Sequence, residues 1–142
     1  MRNFVFISLN KDIFNNSKIL FEKNKFSLKY LNKYCGYYIC RTDPKLNIWI
    51  TAGIYNKHNL MVYDKIEKAF LVISEDCNID SEFWNNLKIS YGQLKKISKK
   101  ISMISIDNQK TNIKRSLLQW CIENNNMEYI EVLNGKLNID NF

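Results

Sequence analysis

One histidine and four cysteines are the side chains from which a Cys–His catalytic pair or a zinc site would have to be built. Any Ser–His or Cys–His catalytic pair would have to use His58, which stands in the polar turn sequence 56–59. No neighbouring residue in the sequence would orient the imidazole. We therefore interpret His58 as an exposed turn residue and predict no catalytic residues.

The cysteine spacing is irregular. A structural zinc site normally contains a close Cys-x-x-Cys pair, whereas Cys35 and Cys40 are five residues apart and would point to opposite faces of a strand. Cys77 and Cys121 lie far from both. The four scattered glycines form no phosphate-binding loop. We expect no metal, no cofactor and reduced thiols, as in a cytoplasmic protein.

Carboxylates occur in pairs at Glu75-Asp76 and at Asp80 and Glu82. Paired carboxylates can perform acid–base catalysis. An acidic loop and the start of a helix explain both pairs without a reaction, because carboxylates stabilise the positive end of a helix.

The strongest cationic signal is the run Lys95-Lys96-Ile97-Ser98-Lys99-Lys100. On a helix, residues four apart lie one turn apart, so the run predicts two lysine columns on one face. More cations follow in the sequence, and Trp49 adds an aromatic surface that could stack on a base. The predicted partner-binding residues are Lys88, Lys95, Lys96, Lys99, Lys100, Lys114, Arg115 and Trp49.

Charge is segregated along the chain, whose formal net charge is +7. Residues 88–115 carry eight basic side chains and one acidic side chain, whereas residues 75–87 carry four acidic side chains and no basic one. Such asymmetry favours an acidic partner, because long-range attraction speeds encounter. A solvated lysine-rich surface with no anionic partner would look the same.

The elements that must position these residues follow from hydrophobic periodicity. Apolar residues on both faces of 3–9 and a continuous apolar run at 69–73 predict buried strands. The turn signature Thr42-Asp43-Pro44-Lys45 predicts a hairpin between strands at 37–40 and 46–51. Ser81 can cap a predicted helix that begins at Glu82. Residues 12–24 fit either a loop or a short helix, and two further strands are predicted from residue 26 and over 101–106.

These elements predict an α+β fold in a single domain of residues 1–142. Its mainly antiparallel sheet of about five to six strands packs against a helix near 82–100 and a C-terminal helix hairpin. Residues 1–110 form the mixed body and 111–142 the hairpin.

The C-terminal segment 113–140 resembles a single ankyrin repeat. Ser116-Leu117-Leu118-Gln119 takes the place of the Thr-Pro-Leu-His signature of that family, and Cys121 takes the place of its small residue. Asn125 stands where a turn glycine is usual, and Gly135-Lys136-Leu137-Asn138 is similar to the end of the repeat. The Pro and His of the signature are absent. The resemblance implies a helix pair and protein binding.

The chain is small, its charge is segregated and it has no predicted catalytic residues. In these respects it resembles the immunity proteins that neutralise toxins. The resemblance implies a non-enzymatic module with an acidic protein partner. A nucleic-acid (RNA) binding module that uses the lysine face is the alternative, and an enzyme with an unrecognised site is the third. The N-terminal apolar run is short and interrupted, unlike a signal peptide, and no apolar stretch approaches bilayer length.

Overall fold

The computed structural model describes residues 2–31, 36–40, 46–52, 66–74, 77–106 and 115–138. His58, Cys35 and Lys114 lie outside the described residues, as does the turn signature at 42–45. The elements in chain order are β1 (Arg2–Ser8), α1 (Lys11–Lys23), β2 (Ser27–Leu31), β3 (Gly36–Cys40), β4 (Leu46–Ala52), β5 (Lys68–Ile73), α2 (Ser81–Lys95), β6 (Ile101–Ser105), α3 (Arg115–Glu123) and β7 (Glu128–Glu131).

The seven strands form one mixed sheet in the order β2-β3-β4-β1-β5-β6-β7. The five strands from β4 to β7 are parallel, and only β2 and β3 add antiparallel pairs. The prediction of a mainly antiparallel sheet of five to six strands is therefore wrong. The predicted hairpin is present, because β3 pairs antiparallel with β4.

Helical crossovers explain the parallel direction. Helices α1, α2 and α3 follow β1, β5 and β6 and return the chain to the amino-terminal edge of the sheet before the next strand begins. Buried parallel strands are apolar on both faces, and β1 and β5 fit this pattern: Phe4 to Ser8 and Ala69 to Ile73 are all buried.

The two faces of the sheet are covered by different helices. On one face, the ring of Phe6 contacts Phe21 of α1 edge-on at 5.2 Å between centroids and stacks on Phe70 at 4.3 Å. On the other face lies Tyr129 of β7, close to Cys121 of α3. Helix α2 lies beside α3, and Tyr91 meets Trp120 edge-on at 5.2 Å. The core is thus built on both sides of the central strands.

The predicted C-terminal helix hairpin is also wrong. Its first helix exists as α3, but residues 128–131 form strand β7, which pairs with β6. Met127 and Val132 are buried, and Tyr129 and Ile130 are partly buried on opposite faces of the sheet. Pairing with β6 offers this short segment more backbone hydrogen bonds than an isolated helical turn would.

Helix α2 is shorter than the predicted helix near 82–100, and the hydrogen bonds at its two ends show why. The cap at the start is Asp80, not Ser81, because the carboxylate of Asp80 accepts a 2.8 Å hydrogen bond from Phe83 N. The helix ends at Lys95, where Lys96 N and Ile97 N donate to the carbonyls of Gln93 and Leu94, respectively, in a tightened turn.

No helix in these described ranges has the length and apolar character that a membrane span requires.

A candidate anion-binding cleft

A cleft of about 620 Å³ opens at the amino-terminal edge of the parallel strands. Its walls come from the start of β5, the end of α2, the connection to β6 and the turn between α3 and β7. We call it the lysine cleft; its lining residues are Lys68, Tyr91, Lys95, Ser98, Lys99, Lys100, Ile101, Ser102, Asn124, Asn125, Asn126, Met127 and Glu128.

Four lysines and one glutamate are the charged residues in the described part of this lining, which is therefore strongly cationic. Lys95 holds its ammonium 5.2 Å from the centre of the Tyr91 ring, and Lys99 and Lys100 are exposed in the turn that follows. Lys68 differs from them, because its side chain is only 12% exposed. Lysines in a concave site concentrate positive potential, so the cleft favours an anion.

The turn before β6 fixes the two lysines at 99 and 100. The buried Ser98 hydroxyl donates to Lys100 O at 3.0 Å, and Lys100 N donates back to this hydroxyl at 3.3 Å. Lys100 O also accepts from Ala69 N at 2.9 Å, which ties the turn to β5. These bonds hold the backbone of the turn against the sheet while both lysine side chains stay in water.

Asparagines form the opposite wall. The Asn124 side chain donates to Trp120 O at 2.6 Å and so caps the end of α3. Asn125 and Asn126 both have left-handed backbones, with φ of 62° and 50°. Asparagine adopts this conformation more readily than most residues, which explains how the chain reverses here without glycine.

The structure brings together only part of the predicted site. Lys95, Lys99 and Lys100 line the cleft, but the two predicted lysine columns do not form, since the helix ends at Lys95. Lys88 lies two turns before Lys95 on α2, about 10 Å away along the axis. Lys96 is exposed at the end of α2 but does not line the cleft.

Arg115 and Trp49 lie elsewhere. Arg115 begins α3, about 12 Å along the helix axis from the turn that lines the cleft. Trp49 is partly buried on β4, and β1 separates that strand from β5, so the two strands are about 10 Å apart. Neither residue lines the cleft.

Sequence reasoning missed Lys68 and the three asparagines. Lys68 is the first residue of an otherwise apolar strand, and a charge at that position marks a strand end at the sheet edge. In the sequence, the run Asn124-Asn125-Asn126 predicts only the end of the first helix of the hairpin. The parallel order of β5, β6 and β7 is what brings these separate segments to one edge.

A buried polar cluster lies on the α3 face of the sheet. Burial raises the pKa of the Cys121 thiol to about 11. Burial also raises the pKa of Tyr129 to about 12; the nearby Glu131, Cys121 and Cys77 add to this rise, and a side-chain hydrogen bond with Ser105 opposes it. A thiol that stays protonated at neutral pH is a poor nucleophile.

Among the residues that the structure describes, Cys77 and Cys121 are buried thiols. Within the same described ranges, no group of three or more His, Cys, Asp and Glu side chains is placed to hold a metal ion. No protein-family model matches the chain, and no curated protein matches it significantly.

Proposed function

We propose that this protein is a non-enzymatic binding module that holds an acidic segment of a partner protein in the lysine cleft. The observation that carries the proposal is the convergence of Lys68, Lys95, Lys99 and Lys100 around one concavity, where the described lining residues include a single carboxylate. Carboxylates form charge-assisted hydrogen bonds with ammonium groups, and several together give both affinity and a fast encounter.

The arrangement of aromatic rings favours a protein ligand over RNA. Proteins that bind single strands present open ring faces along a basic groove, on which successive bases stack. In the cleft, Lys95 covers the face of Tyr91, and Tyr91 packs against Trp120. The lysines also surround one site. They do not form the extended row that would follow the sugar–phosphate backbone of a nucleic acid.

A binding module of this kind would act by blocking its partner, in the manner of an immunity protein that neutralises a toxin. Its target would present an acidic surface, and it would work in the cytoplasm, where thiols such as Cys77 stay reduced. The support for this part of the proposal is the cationic cleft and the segregated charge of the chain.

The test is fluorescence anisotropy with a labelled oligoglutamate peptide. The double variant Lys95→Gln with Lys99→Gln should bind about ten-fold more weakly, because two exposed ion pairs are lost. The matched control is Lys11→Gln with Lys29→Gln, which removes the same charge from exposed positions on α1 and β2. Control affinity should stay close to that of the wild-type protein.

Equal weakening in both double variants would mean that net charge, not the cleft, attracts the peptide. A single-stranded RNA of the same charge provides the second arm. Tighter binding of this RNA, lost in Lys95→Gln with Lys99→Gln, would replace the proposed protein partner with nucleic acid. A stoichiometric complex with the product of an adjacent gene, weakened by the same substitutions, would identify the partner.

A further inference from the structure

Glu128 is the one acidic residue among the described side chains that line the lysine cleft. Its Oε2 lies 3.4 Å from Lys68 Nζ across the sheet edge. The two partners differ in exposure: the Glu128 side chain is 58% exposed, whereas that of Lys68 is 12% exposed. The carboxylate therefore approaches the lysine from the solvent side, which is the side from which a ligand would enter.

Lys68 is the most enclosed cation of the site. It belongs to a central strand, and its ammonium lies 5.3 Å from the centre of the buried Phe70 ring. Lys95, Lys99 and Lys100 are exposed and keep more rotamer freedom. Binding an anion to Lys68 therefore costs less side-chain conformational entropy than binding it to the exposed lysines.

We propose that Glu128 is a built-in competitor for the ligand of the cleft. In the free protein its carboxylate occupies Lys68, and an aspartate or glutamate side chain of the partner displaces it on binding. The inference rests on the proposed function, since it assumes that the lysine cleft binds acidic segments. Displacement costs little, because the incoming carboxylate takes the place of Glu128 beside Lys68 and the released carboxylate, already 58% exposed, returns to water.

A competitor of this kind would sharpen selectivity. A ligand with one weakly placed carboxylate gains little by exchanging with Glu128, whereas a segment with several carboxylates also engages Lys95, Lys99 and Lys100. Repulsion between Glu128 and poorly matched anions adds to the difference between ligands.

The experiment compares Glu128→Gln with Glu67→Gln by anisotropy with the labelled oligoglutamate peptide. Both variants remove one negative charge near the amino-terminal edge, and glutamine conserves side-chain size. Glu67 pairs with Arg2 at 2.9 Å and does not line the cleft. We expect Glu128→Gln to bind the peptide about two- to five-fold more tightly than Glu67→Gln, because the peptide then displaces no carboxylate from Lys68.

Equal or weaker binding by Glu128→Gln than by Glu67→Gln would overturn the inference. If Lys95→Gln with Lys99→Gln still weakens binding in that case, the proposed function stands and only the role of Glu128 is rejected. If the wild-type protein does not bind the peptide, or if the lysine substitutions have no effect, the proposed function and the inference both fail. Urea unfolding of each variant confirms that the compared proteins are equally folded.

Discussion

Burial sets the chemistry of individual side chains on the α3 face of the sheet. Cys121 is buried and Tyr129 is partly buried, and loss of solvation raises the pKa of each. The same residues in an unfolded chain would ionise at lower pH. Their titration therefore links protonation to folding, and this linkage can be measured.

Above pH 10 the folded protein should lose stability through Tyr129. Unfolded tyrosine ionises near pH 10, whereas folded Tyr129 holds its proton to about pH 12, so the stabilisation is complete below pH 10 and is lost as pH rises towards 12. Cys121 contributes in the same direction at slightly lower pH. Tyr129→Phe should flatten the fall of the unfolding free energy, measured in urea, between pH 10 and 12.

Comparison at pH 6 to 8 provides the control for Tyr129→Phe. In this range tyrosine is protonated in both states, so the unfolding free energies of the variant and the wild-type protein should differ by a constant amount. Curves that remain parallel up to pH 12 would contradict the linkage.

At the scale of elements, local pattern identified most strands and helices. The apolar runs of β1 and β5 and the β3–β4 hairpin lie where periodicity and turn chemistry predicted them, and α2 begins one residue before its predicted start. Residues 12–24 could not be assigned from pattern, because Asn15, Asn16 and Ser17 favour a turn. Helix α1 forms because Asn10 caps it and Ser17 faces inward, donating to Ile13 O at 2.8 Å.

Strand β7 shows the limit of such patterns. Four residues satisfy helical and strand spacing almost equally, and the neighbouring β6 decides between them by supplying a paired edge. Alternation alone does not fix strand direction. The apolar residues on both faces of β1 and β5 are typical of parallel strands, but we interpreted them only as a sign of burial.

Substitution of two glycines by alanine should change the unfolding free energy in opposite directions. Gly92 lies inside α2, and a Cβ added there would meet no atom within 4 Å. Gly92→Ala should therefore raise the unfolding free energy by about 0.5–1 kcal/mol, since alanine costs less backbone entropy in a helix. Urea denaturation with an unchanged m value is the measurement.

Gly135 provides the matched contrast. A Cβ there would also have open space, but its φ of +65° is left-handed. Gly135→Ala should lower the unfolding free energy, because alanine is strained in that conformation. Stabilisation in both variants would show that reduced unfolded-state entropy outweighs backbone strain at residue 135.

For the whole molecule, stability depends on aromatic packing at the centre of the sheet. Phe70 is fully buried, stacks on Phe6 and lies 6.3 Å from Phe4 between ring centroids. Phe70→Ala should lower the unfolding free energy by about 3–5 kcal/mol, because it removes buried area and leaves a cavity. Such a loss is a large fraction of the stability of a typical domain.

Ile19→Ala serves as the control for Phe70→Ala. Ile19 is 51% exposed on α1, so its truncation should change the unfolding free energy by no more than about 0.5 kcal/mol. Similar losses in the two variants would show that the stacked rings do not form the centre of the core.

The sequence by itself determined which segments are apolar enough to be buried, where several elements begin, and that basic residues cluster between 88 and 115. These properties depend on residue type and near neighbours, so they can be read locally. Tertiary structure alone decided that β5, β6 and β7 run parallel and that Lys68 meets Lys95, Lys99 and Glu128 at one edge. Contacts between residues about 30 to 60 positions apart depend on strand order and register, which the whole chain sets through its packing.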